Sequence, residues 1–171
     1  MLAVVAARAA DTRTVGQEFD AYIGRIEHDL VPLAEAMPEG KFSFSPTDGP
    51  FKGGPTFAEL IKGAARDVYL ASAAVLGEKP PVDFGGTMYA PAPVWSKEQV
   101  MQFLKGAFVY AHNAALSLTA ANEKDVVKSP RGGGQNQRGR LFSVLARNSL
   151  GHHGQMEKYL RMNGIDPPAS R

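Results

Sequence analysis

TFAELIKGAARDVYLASAAVLG, residues 56–77, is the stretch that decides the fold. Phe57, Leu60, Ile61, Ala64, Val68, Ala71 and Val75 recur at steps of three and four, which lines one face of a helix with 3.6 residues per turn. Thr56 followed three residues later by Glu59 reads as a capping box, each side chain satisfying a backbone N–H that the first turn leaves unpaired. Gly77 tolerates left-handed backbone and ends the run. The spacing predicts an amphipathic helix over 56–76.

Working outward, the same period appears three more times. Val15, Phe19, Tyr22, Ile26, Leu30 and Leu33 predict a helix near 14–37, with Pro32 predicting a kink or an early end and Pro38-Glu39-Gly40 the stop. Ser96-Lys97-Glu98-Gln99 repeats the capping logic and opens a third helix near 96–122, through Val100, Phe103, Leu104, Ala107, Ala111, Ala114 and Leu118. Its alanines predict close approach of a neighbouring helix. Leu141, Leu145, Asn148, His152 and Tyr159 align along a fourth, near 139–163, with Gly164 as C-cap. The connections 41–55 and 78–95 are rich in Gly and Pro and read as loops. KSPRGGGQNQRGR, residues 128–140, reads as a flexible glycine-rich loop, with 129–138 the most mobile internal segment expected. Four amphipathic helices without a strand pattern predict an all-α four-helix bundle. The two long connections leave the order of the helices around it open.

Composition narrows the function. A chain of 171 residues is long enough for one domain to bury roughly 70% of its unfolded surface. Its net charge of +2, from 19 basic and 17 acidic residues, gives no electrostatic case for nucleic acid or an anionic membrane. With no cysteine there is no disulfide, thiolate nucleophile or cysteine metal site, so histidine and carboxylate are the strong ligands available. No apolar run approaches the ~20 residues that span a bilayer. MLAVVAARAADT, at the start, reads either as an extra turn or frayed end of the first helix, or as the end of a truncated signal peptide with a small-x-small site at Ala7-Arg8-Ala9. Residues 1–13 are thus an extension or signal remnant ahead of a domain over 14–171, and the compartment is cytoplasmic in the first case, export in the second.

LGHHGQMEKYLRMNGIDPPAS (150–170) joins LAEAMPEGKFSFSPTDG (33–49) and TFAELIKGAARDVYLASAAVLGE (56–78) in a shared order and spacing. Together they resemble the DinB/YfiT-like family of small helical bundles, over about 15–171. The resemblance implies an up-down-down-up bundle, often homodimeric, with a three-histidine metal site. It also implies, for metal-binding members, thiol S-transferase or isomerase chemistry in which the metal activates a low-molecular-weight thiol.

The family's ligand positions correspond to Gly63, Asn148 and His152. Glycine has no side chain to ligate, and an amide oxygen is a weak partner for the metals that imidazole prefers. One histidine of three remains, short of the three protein ligands a catalytic site needs. The expectation is a binding or structural homolog with an inter-helix cleft for a small molecule and no metal. The alternative is a zinc or nickel enzyme whose site is rebuilt from His152 with Asp67, one turn beyond Gly63, and His112 on the third helix. His28 lies near the middle of helix one, His153 reads as a surface residue, and Gly154 as a point of close helix contact. Lys128, Arg131, Arg138 and Arg140 around Gly132-Gly133-Gly134 could attract an anion, but no strand precedes them and the Lys-Ser/Thr of a phosphate loop is missing. Ser/His/Asp catalysis lacks its strand-turn-helix setting here. Phe42, Phe44, Phe51, Phe84, Tyr89 and Trp95 fall in the two long loops, where they either cover the end of the core or line the mouth of a cleft. A partner-binding module would need a large exposed apolar face, which the amphipathic pattern does not predict.

Overall fold

The computed structural model describes residues 13–86, 95–130, 132 and 134–169. Four helices carry the fold: α1 Val15–Ala36, α2 Phe57–Leu76, α3 Lys97–Leu116 and α4 Arg138–Met162. Capping boxes open three of them, Thr14 with Gln17, Thr56 with Glu59 and Ser96 with Gln99. Gly77 closes α2 in the left-handed region at φ 76°. Gly164, also left-handed, follows the Asn163 cap of α4.

Each of α1 and α2 packs on both α3 and α4, so the order around the bundle is α1, α3, α2, α4. Side chains set the directions. Lys97, at the start of α3, donates 2.7 Å hydrogen bonds to the carbonyls of Glu35 and Met37 at the end of α1, so these two run antiparallel. Lys62 lies over the ring of Trp95, Tyr69 packs on Phe103, and the Tyr110 hydroxyl donates to Glu78, a series that rises together along α2 and α3. Those two are parallel. The Tyr159 hydroxyl donates to the Pro55 carbonyl, setting the end of α4 against the start of α2. The arrangement is up-down-down-up. Parallel α2 and α3 require the chain to return along the whole bundle, which is why the connection between them is long.

Phe57, Leu60, Ile61, Phe108, Leu141 and Phe142 are among the fully buried side chains of the core. The alanines of α3 do mark close packing: Ala107, Ala111 and Ala114 have no exposed surface. At the start of α1, Gly16 permits an even closer approach, since a Cβ there would sit 2.9 Å from the Leu116 carbonyl oxygen. Of the loop aromatics, Phe42, Phe44, Phe84 and Trp95 pack on the core. Phe42 meets Phe57 edge-on, Phe44 meets Tyr159, and Phe84 and Trp95 pack on the Tyr69–Phe103 pair.

α1 carries Pro32 inside it and runs to Ala36, within a residue of the expected end. Two features differ from the expectation. α3 stops at Leu116 instead of 122, because polar side chains there take over the backbone groups that a helix would use. Ser117 Oγ donates to the Ala114 carbonyl, and Asn122 accepts from the Thr119 N–H while donating to the Ser117 carbonyl. The glycine-rich stretch is not a plain loop. Val126–Lys128 and Gln135–Gln137 form an antiparallel hairpin in the register Val126↔Gln137, Val127↔Asn136, Lys128↔Gln135. Bonds from Arg138 N to the Asp125 carbonyl and from Gly139 N to the Glu123 carbonyl close its base. The backbone bonds of the ladder offset ordering entropy in the two strands. This two-stranded piece is minor beside the helices. The N-terminal extension up to residue 12, Tyr89 with the later part of the second long connection, Arg131 and Gly133 lie outside the described residues.

Candidate functional site

On α4, Asn148 and His152 are one turn apart and share a face. On α2, Gly63 and Asp67 do the same. Because α2 and α4 pack antiparallel, the two stripes meet. His152 Nε2 lies 3.4 Å from Asp67 Oδ2, with Asp67 only 5% exposed and His152 19%. The contact is longer than the usual 2.9–3.0 Å and correspondingly weak. His152 Nδ1 is buried and meets no hydrogen-bond partner among the described residues. Asn148 and Asp67 line a cavity of about 60 Å³ whose far wall is the hairpin, through Ser129, Pro130 and Asn136. The sequence placed Asp67 beside the family's ligand positions by helical spacing. It held no signal that the hairpin would reach the same spot.

His112 does not join this set. It sits between α3 and α1, its Nδ1 2.6 Å from Asp20 Oδ1 and its Nε2 3.1 Å from Glu27 Oε2. A ring that faces a carboxylate at each nitrogen donates to both when protonated. Burial pulls the pKa of His112 down, but the hydrogen bonds and charges of Asp20 and Glu27 outweigh that and raise it above the ordinary value. The two ring nitrogens point away from each other, so the three groups do not converge on a common point. The rebuilt set of His152, Asp67 and His112 is therefore not assembled: two of its members meet and the third is committed elsewhere.

The remaining histidines separate as well. His28 is exposed on α1, 3.9 Å from Asp29. His153 is half-buried, not a plain surface residue, and lines an α1–α4 groove of about 190 Å³ with Tyr22, Arg25, Ile26 and Leu30. Gly154 makes no close helix contact, since a Cβ there would meet nothing within 4 Å.

Lys62, one residue before Gly63, is a feature the periodicity missed. It is buried on α2 beneath Trp95, and burial lowers its pKa more than the Glu59 carboxylate raises it. Farther along the same α2–α3 interface, burial pushes the Tyr110 phenol up, helped by its 2.6 Å hydrogen bond to Glu78.

The donors do not fit the metal that the family resemblance implies. At the three corresponding positions the chain offers no side chain, an amide and one imidazole, and that imidazole turns its Nε2 to Asp67. Among the described residues, no three His, Asp or Glu side chains form a set able to hold a metal ion. No helix among them is long and apolar enough to cross a membrane. No protein-family model matches the chain, and no curated protein matches it.

Proposed function

We propose that this protein is a DinB-like bundle that binds a small organic molecule between α2 and α4, with a His–Asp pair where metal-binding relatives place a histidine triad. One observation carries the reading: His152 faces Asp67 across the two helices, beside a cavity that Asp67 and Asn148 line. Support also comes from the up-down-down-up arrangement and from the order of the motifs at 33–49, 56–78 and 150–170. A half-buried cavity with a few convergent polar groups is the ordinary form of a small-molecule site between bundle helices. The role is binding rather than turnover, because the donor set lacks the third ligand that would activate a thiol.

Elemental analysis of protein purified without chelator, with parallel Zn²⁺ and Ni²⁺ titrations, tests the reading. The expected result is no stoichiometric metal. One equivalent retained through dialysis, and lost on His152→Ala, would overturn it in favour of a metal-dependent enzyme of the thiol S-transferase or isomerase type.

A further inference from the structure

We propose that the part of α1 ahead of Pro32, residues 15–31, is a strap over the bundle core, latched to α3 by the His112 ring and hinged at Pro32, so that a proton on the ring keeps it closed. The device is independent of what binds between α2 and α4.

The two ends of α1 are held differently. Past Pro32, Lys97 of α3 donates to the carbonyls of Glu35 and Met37, and Lys105 pairs with the Glu35 carboxylate at 2.7 Å. Leu33, Ala34 and Met37 have almost no exposed surface. That end is anchored. Pro32 has no N–H, so the carbonyl of His28 lacks the donor that an unbroken helix supplies, and the backbone is softest there. Ahead of the proline, α1 buries Ile23, Ile26 and Leu30 but leaves a groove of about 190 Å³ against α4, between Tyr22 and Ile26 on one side and Ala146 and Leu150 on the other. Among the described residues, His112 alone ties this part of α1 to another element through polar side chains. Its nitrogens hold Asp20 and Glu27, and a Cβ added at Gly24 would touch the ring's Cε1 at 3.8 Å. The ring thus spans α1 between the two carboxylates.

A protonated ring donates from both nitrogens, whereas a neutral one donates from one and turns a lone pair to the other carboxylate. Asp20 and Glu27 are the charges that face the ring from α1. Among the described residues, neither α2, the other helix packed on this stretch of α3, nor α3 itself brings a further charge to it, and Lys105 is already paired with Glu35. The raised pKa of His112 keeps the latch complete below about 6.5 and releases it as pH climbs through the folded value. Freeing the strap uncovers Ile23, Ile26 and Leu30 and widens the α1–α4 groove.

Amide hydrogen exchange of the full chain at about pH 6 and about pH 8.5, corrected for the intrinsic rate, tests the strap. Protection at Phe19, Ile23, Ile26 and Leu30 is expected to fall about fivefold more than at Val68, Ala71 and Val75 of α2, the factor that part-exposed charge-assisted bonds supply. In His112→Gln the extra fall is expected to vanish, the four amides exchanging at the lower pH as they do in the unmodified protein at the higher. His28, the other histidine of α1, is intact in that variant, so its titration is separated from the latch. Glu27→Gln keeps the ring and Asp20 and is expected to cut the extra fall to about twofold. Pro32→Ala restores the missing N–H and is expected to slow exchange ahead of it at both pH values. Equal falls in α1 and α2 would mean that the proton acts on global unfolding, which defeats the strap, as would no fall in either helix. An extra fall that persists in His112→Gln would defeat the latch, and α1 protection indifferent to Pro32→Ala would defeat the hinge.

Discussion

The His112 imidazole holds Asp20 at 2.6 Å on one side and Glu27 at 3.1 Å on the other, so a single ring on α3 bridges two turns of α1. The two carboxylates are seven residues apart, which puts them on the same face of α1 with the ring between them. Protonation is what allows both nitrogens to donate, so the clamp is coupled to pH.

The sign follows from the raised pKa of His112. The folded protein holds this proton more tightly than the unfolded chain does. The stabilisation is therefore complete below the unfolded-state pKa of about 6.5 and fades as pH rises through the higher folded value. Urea midpoints are expected to fall across that window, and His112→Gln to remove that component. With all three groups about a third exposed, the loss on substitution should be about 1 kcal/mol. An identical pH profile in the variant would contradict the clamp.

Asp67 and His152 form a weaker link. A double-mutant cycle with Asp67→Asn and His152→Gln is expected to give a coupling of about 0.5–1 kcal/mol, small because 3.4 Å is a long hydrogen bond. Each single change should still destabilise, since Asp67 is buried and a poorer acceptor in its place leaves the ring less well served. Strict additivity would mean that the two side chains do not interact.

Supplying the missing imidazoles tests whether the helices have the geometry of the metal-binding bundles that the sequence resembles. Gly63→His combined with Asn148→His is expected to bind one equivalent of Zn²⁺ or Ni²⁺ and to lose it when His152→Ala is added. A folded triple-histidine variant that takes up no metal would show that α2 and α4 are set differently.

Gly16→Ala should destabilise by roughly 1–3 kcal/mol, although alanine is the better helix former. The added methyl would meet three backbone carbonyl oxygens, those of Leu116 at 2.9 Å, Leu118 at 3.0 Å and Ala115 at 3.2 Å, none of which can rotate aside. Thermal unfolding distinguishes this from the small gain that propensity alone predicts at an exposed site.

What the sequence by itself determined is local. Helix periodicity, the capping boxes at Thr56 and Ser96 and the stop at Gly77 depend on neighbours within about four residues, and the helices formed where those signals stand. The stop of α3 at Leu116 is written locally too, in Ser117, Thr119 and Asn122, although the apolar stripe runs on through Leu118. Asn148, His152 and Asp67 could be placed on their stripes by the same rule. Which stripes meet could not, because periodicity marks the apolar face of a helix but not which helix covers it. Packing decided that His152 faces Asp67 and that His112 turns to Asp20 and Glu27, partners 85 to 92 residues away. It also decided that the glycine-rich stretch folds back as a hairpin against Asn148, since a ladder of backbone bonds leaves little trace in side-chain pattern when its strands are three residues long.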